Sequence, residues 1–245
     1  MSVTKLERPP YVHNWVRYNY ADEVKTTKAL VSFVRAIPQT TYVAASPIVR
    51  DRIIFGLDRE TAMIAAMSKG PPKSRSHVAK LVSAFYDYDQ GRKYSGSPSY
   101  DQFVHPFPVS RTIQIPVKPL LIIAEGGQLK PLFLFGWSTM PLDTFQRRLL
   151  MTIVEDTVFS LTDFQNSDGE FICFPKNEHG IRAPEVWHRG DYNSLSPQEL
   201  KQKIEIYLTA LKRAKLILAN SAKIDKDAPT KEPAHADQYI LKLEK

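Results

Sequence analysis

Along the first third of the chain, apolar positions recur at helical spacing between clear stop signals. Val24, Leu30, Val31, Val34 and Ile37 follow Asp22 and end at Pro38, which predicts a helix between those two markers. The segment before it, Tyr11 to Tyr20, mixes aromatic and charged residues and reads as an extended arm or a strand. Thr40 to Ala45 is β-branched and aromatic between Pro38 and Pro47, which suits a short buried strand. Ile48 to Phe55 fits a helix or a short strand, and Arg59 to Met67 fits a helix with Asp58 as its N-cap. Lys69-Gly-Pro-Pro-Lys73 ends that element, and a further helix runs from Ser74 or Ser76 to about Tyr88 with Val78, Leu81, Val82 and Phe85 on one face. Gln90 to Gln102, rich in Gly, Ser, Pro and Tyr, reads as a mobile surface connection or lid.

The pattern then changes. Arg111 to Pro116, Lys118 to Ala124 and Leu129 to Trp137 read as strands, the last two joined at Glu125-Gly-Gly-Gln128 because paired glycines supply the positive φ that a tight hairpin turn requires. Pro116, Pro119 and Pro131 should lie at edges, bulges or strand starts, since proline cannot donate to a ladder. Phe145, Leu149, Leu150, Ile153, Val154 and Val158 mark a core helix beginning near Asp143. A second hairpin is expected between Ser160 to Asn166 and Glu170 to Phe174, turning at Asp168-Gly169. Ser196-Pro-Gln-Glu199 carries a capping residue, a proline suited to the first helical position and a glutamate able to close a capping box. The long helix it opens buries Leu200, Ile204, Tyr207, Leu208, Leu211 and Leu218.

Helices and hairpins in runs predict an α+β fold: a mostly antiparallel sheet built from two hairpins, packed by several helices, with a long C-terminal helix. The corresponding division is an N-terminal arm over 1–21, one α+β domain over 22–220 and a charged, largely disordered tail over 221–245, in which Gln238 to Leu243 could re-dock.

Composition narrows the class. With 43% hydrophobic and 24% charged residues in 245, the chain can offset its ordering entropy by burial. The longest apolar stretches, Pro119 to Ala124 and Leu132 to Phe135, are far short of the roughly 20 residues a membrane helix needs. The first ten residues lack the apolar region of a secretory signal. Cys173 is the only cysteine, which excludes an internal disulfide and a thiolate-rich zinc site and fits a reducing, cytoplasmic setting. No cofactor motif occurs. The net charge of +7 favours nucleic acid or another polyanion as partner.

Candidate chemistry begins with Lys69, Lys73, Arg75, His77 and Lys80, a basic cluster with no intervening acid, leading into a helix N-terminus where backbone amides attract anions. It reads as a nucleic-acid-binding patch or as a solvated loop. Tyr11, Trp15, Tyr18 and Tyr20, and again Tyr86, Tyr88, Tyr94 and Tyr100, offer stacking platforms for unpaired bases or packing for a core or a protein interface.

Gly136-Trp-Ser138 with His179 or His188 resembles a hydrolase nucleophile setting, but Met140 replaces the second glycine. Asp156, Asp168 and Glu170 could hold magnesium in a nuclease-like site, although Ile172 stands where a lysine would follow. Glu178, His179, Glu185, His188 and Cys173 lack the regular spacing of a metal site. Arg189-Gly-Asp191 reads as a turn. Three function classes therefore stand: a nucleic-acid-associated binding protein using the basic patch, a protein-interaction or scaffold protein, and a hydrolase or metal-dependent nuclease.

Overall fold

Successive side chains of a strand point to opposite faces, and here both faces are buried. Leu121, Ile123, Leu132, Ile172 and Phe174 pack into one apolar cluster, while their neighbours Ile122, Phe133, Phe135, Phe171 and Cys173 pack into another. The sheet therefore lies between two helical layers. The computed structural model describes residues 3–36, 42–96 and 103–227, the side chains of 222–227 apart.

Among these residues the helices are α1 (Val12–Val16), α2 (Glu23–Arg35), α3 (Ala45–Phe55), α4 (Arg59–Ser68), α5 (Pro72–Asp89), α6 (Thr144–Val154) and α7 (Pro197–Asp227). The strands are β1 (Ser95–Gly96), β2 (His105–Pro108), β3 (Gln114–Val117), β4 (Leu121–Glu125), β5 (Gln128–Phe135), β6 (Glu170–Cys173) and β7 (Glu185–His188). A five-stranded sheet has the order β1-β4-β5-β6-β7, and β2 and β3 form a separate antiparallel pair. The fold is α+β with a sheet that is mostly antiparallel, the exception being the parallel pair β5-β6, which places Phe133 against Phe171 with rings stacked 4.7 Å apart. Helix α6 supplies the crossover between those two strands. Helices α3, α4 and α5 cover one face; α1, α2, α6 and α7 supply buried residues to the other.

Local signals placed most element ends. The Asp22 carboxylate accepts from Lys25 N, Asp58 from Thr61 N and Asp143 from Gln146 N, and the Gln146 amide closes a capping box on the Asp143 amide. Ser196 and Glu199 form the expected reciprocal cap, with Glu199 N 3.2 Å from the serine Oγ and Ser196 N 2.7 Å from the glutamate carboxylate. The β4-β5 hairpin turns at Gly126 and Gly127, both with positive φ.

Four expectations are revised. Tyr11 to Tyr20 is not an extended segment: Val12, Trp15 and Val16, at i, i+3 and i+4, form α1 and are buried in the core. The strand expected over Thr40 to Ala45 is absent where it can be seen, since 42–44 form a turn and Ala45 opens α3, while Thr40 and Thr41 lie outside the described residues. Helix α5 starts earlier than Ser74, at Pro72, because proline's missing N–H costs nothing in the first turn. No hairpin turns at Asp168-Gly169. Residues 160–166 form turns following a π-helical stretch, Glu155–Phe159, and β6 takes β5 and β7 as partners. Gly169 has no positive φ; a Cβ there would collide with the Phe159 ring, so close packing accounts for the glycine.

Ile37 and Pro38, Tyr100 and the rest of 97–102 in the expected lid, and most of the expected tail (228–245) lie outside the described residues. No helix among the described residues is long and apolar enough to cross a membrane.

Candidate nucleic-acid interface

Helices α4 and α5 form a hairpin whose two ends differ in charge. Its open end carries Asp58, Glu60, Asp87 and Asp89, with Arg59 paired to Asp87 at 2.7 Å. Its closed end carries Lys69, Lys73 and Arg75, and the cluster runs on through His77 to Lys80 at the middle of α5. Lys73, His77 and Lys80, at i, i+4 and i+7, share one exposed face of α5, and Lys69 is exposed in the connection. Arg75 lies further round the helix, half-buried, and donates from Nε to Gly70 O at 3.2 Å. Among the described residues none of these five makes an ion pair with a carboxylate.

A second group continues from that end along the carboxyl ends of β5 and β6. The Tyr42 ring meets His77 edge-on at 6.4 Å, and the Arg182 guanidinium lies over the Tyr42 ring at 4.7 Å. Arg182 is only 8% exposed; its Nη1 donates to the carbonyls of Trp137 (3.0 Å) and Phe174 (2.6 Å), whereas Nε and Nη2 are buried without a hydrogen-bond partner among the described residues. Burial lowers the pKa of this guanidinium, with the Tyr42 phenol acting in the opposite sense. Gly136 lets Tyr42 sit directly on the strand end, because a Cβ there would overlap the tyrosine. Trp137 stacks on Phe135 at 4.6 Å and is flanked by His13 at 6.1 Å and by the Arg17 guanidinium at 5.9 Å. His13 is held neutral, its pKa lowered to about 4 by burial and then by Arg17.

The other predicted chemistry falls elsewhere. Asp168 and Glu170 are neighbours at the amino end of β6, but each is engaged by cations or a hydroxyl. Glu170, 1% exposed, accepts from the Tyr88 hydroxyl and from Arg92 Nη1 and Nη2 at 2.7 and 2.9 Å. Arg92 also grips Glu125, which bonds Lys130 at 2.9 Å; Lys130 lies 3.7 Å from Asp168, and Asp168 lies 3.3 Å from His188 Nδ1. Burial would lower the Arg92 pKa, but Glu170 and Glu125 outweigh it and raise it, while burial and the Glu170 carboxylate hold the Tyr88 phenol up. This network ties the end of α5 to four strands, β4 to β7. Asp156 is not part of it and lines a separate surface groove of about 440 Å³ with Thr152, Leu195, Leu200 and Lys201.

Ser138 makes no hydrogen bond to a histidine among the described residues; its carbonyl accepts from Lys176 N. His179 and Glu178 are exposed at the tip of the loop after β6, and Glu185 pairs with Arg147 at 3.1 Å. Cys173 is fully buried with its thiol pushed up to about 12 by burial, then by Glu185. Among the described residues no three His, Cys, Asp or Glu side chains converge as metal ligands. Arg189-Gly-Asp191 is a turn, with Arg189 holding Glu155 at 2.8 Å and Asp191 accepting from His188 N. Of the aromatics, Trp15 is core, Tyr86 and Tyr88 donate inward to Leu57 O and Glu170, and Tyr94 donates to Asp89.

The basic cluster was legible because four lysines and arginines and a histidine lie close together in sequence. Tyr42, Arg182 and Arg17 carried no such signal, being brought together only by the sheet. No protein-family model, curated protein or solved structure matches the chain.

Proposed function

We propose that the protein is a nucleic-acid-associated binding protein that holds the phosphate backbone at the closed end of the α4-α5 hairpin. One observation carries the reading: Lys69, Lys73, His77 and Lys80 are exposed from the closed end of the hairpin to the middle of α5, and no described carboxylate pairs with them. Phosphates neutralised by such side chains release condensed counterions, so affinity falls linearly in log-log form as salt rises. The test is retention on heparin and on immobilised oligonucleotide at graded salt, against a variant with Lys69, Lys73, Arg75 and Lys80 changed to Ser. Earlier elution of the variant supports the reading, and unchanged elution removes it.

A second reading, a protein-interaction surface, is favoured by Phe55, Ile64 and Met67 on α3 and α4, which are 78, 64 and 52% exposed. It calls for a stable partner or self-association with little salt dependence.

A further inference from the structure

We infer that the cationic and aromatic groups from Lys73 and His77, across Tyr42 and Trp137, to Arg17 form one track for unpaired nucleic acid, phosphates on the cations and bases on the two rings. The inference rests on the nucleic-acid reading above and specifies the form that is bound.

Continuity is the first argument. The groups lie in sequence: His77 meets the Tyr42 ring at 6.4 Å between centroids, Arg182 beneath joins the Tyr42 ring to the Trp137 backbone carbonyl at 3.0 Å, and Arg17 lies 5.9 Å from the Trp137 ring. Tyr42, in the turn before α3, and Trp137, just past β5, are both partly exposed, unlike Phe133, Phe135 and Phe171 on β5 and β6. The second argument is charge. Arg182 is a buried cation that rests on two carbonyls and the Tyr42 side chain and has no carboxylate partner among the described residues. A buried charge that no carboxylate balances costs folding free energy, and an anion bound beside it would offset part of that cost. The third is the form of the ligand. A duplex keeps its base faces in its own stack, so exposed rings add affinity only for bases that are unpaired.

Trp137 also reports on the track, because Trp15 and Trp187 are only 2 and 4% exposed whereas Trp137 is partly exposed. The experiment titrates the full chain with oligothymidylate and with a hairpin duplex of equal phosphate number, following tryptophan fluorescence and, with labelled probes, anisotropy. The expected result is quenching by oligothymidylate and tighter binding of it than of the duplex. Tyr42→Ala and Trp137→Ala should each weaken the single strand about tenfold while leaving the duplex unchanged, and Tyr42→Phe and Trp137→Phe should retain affinity. Arg17→Ala should lower the salt slope by about 0.7. Thermal melts check that each variant folds, and the wild-type quench requires no substitution at all. Equal affinity for both probes without quenching overturns the track and leaves the phosphate-binding reading standing. No binding of either probe at low salt overturns both.

Discussion

Replacing Glu170 with alanine takes away the carboxylate that gathers Tyr88 and Arg92 at the amino end of β6. In the folded protein that carboxylate is 1% exposed and receives Arg92 Nη1 and Nη2 at 2.7 and 2.9 Å as well as the Tyr88 hydroxyl. Breaking a buried ion pair by removing one partner costs about 3–5 kcal/mol, because the other charge is left uncompensated. Arg92 keeps Glu125 at 2.8 Å and its side chain is 17% exposed, which points to the lower end of that range. The Tyr88 hydroxyl also loses its acceptor, adding about 1 kcal/mol. We expect a loss of about 3–4 kcal/mol, which for a chain of this size lowers Tm by roughly 6–16 °C. Urea unfolding followed by tryptophan fluorescence, together with thermal melts, measures it. Changing both residues, as Arg92→Met with Glu170→Met, should recover most of the loss, since it leaves neither of the two charges behind. A loss below about 1 kcal/mol for Glu170→Ala would refute the reasoning, because the network would then be worth no more than an exposed pair.

Three further outcomes follow from the buried titratable groups. His13 has a folded pKa of about 4 against 6.5 when unfolded, so as pH falls through that window the unfolded chain takes up the proton first; stability should drop by about 2–3 kcal/mol between those values, and His13→Phe should flatten this part of the pH profile. Lys203, 2% exposed and donating to Tyr20 O and Thr26 Oγ1, has its pKa lowered to about 8 by burial, with Asp22 pulling the other way. The unfolded chain then holds more protons between pH 8 and 10.5, so wild-type stability should rise through that window relative to Lys203→Met in parallel denaturation curves. The Cys173 thiol, fully buried and raised to about 12, should resist a thiol reagent at neutral pH in the folded protein and react fully once the chain is unfolded in urea.

What could be read in advance and what could not divide along a physical line. The caps at Asp58 and Ser196, the helix starts at Asp22 and Asp143 and the Gly126-Gly127 turn were legible because each is set between residues at most four apart. The sheet order was not. Strands β4, β5 and β6 are buried on both faces, so Leu121-Ile-Ile123 and Leu132-Phe-Leu-Phe135 show no alternation, and nothing in such a run names its neighbour. The Asp168-Gly169 dipeptide has the letters of a hairpin turn, yet the glycine answers to the Phe159 ring, a contact outside the turn. For the site, the run from Lys69 to Lys80 is visible as local charge density, but that Lys73, His77 and Lys80 share a face and Arg75 does not depends on the helix beginning at Pro72.

From residues alone, then, came the α+β class, the long capped C-terminal helix, the central hairpin and the surplus of positive charge, all of which follow from propensity, periodicity and composition. The fold alone decided that β6 would lie parallel to β5, that α1 would join the core, and that Arg17, Tyr42, Trp137 and Arg182 would meet across the ends of those strands. These are long-range choices, set by which surfaces exclude water best together, and no window of neighbouring residues contains that information.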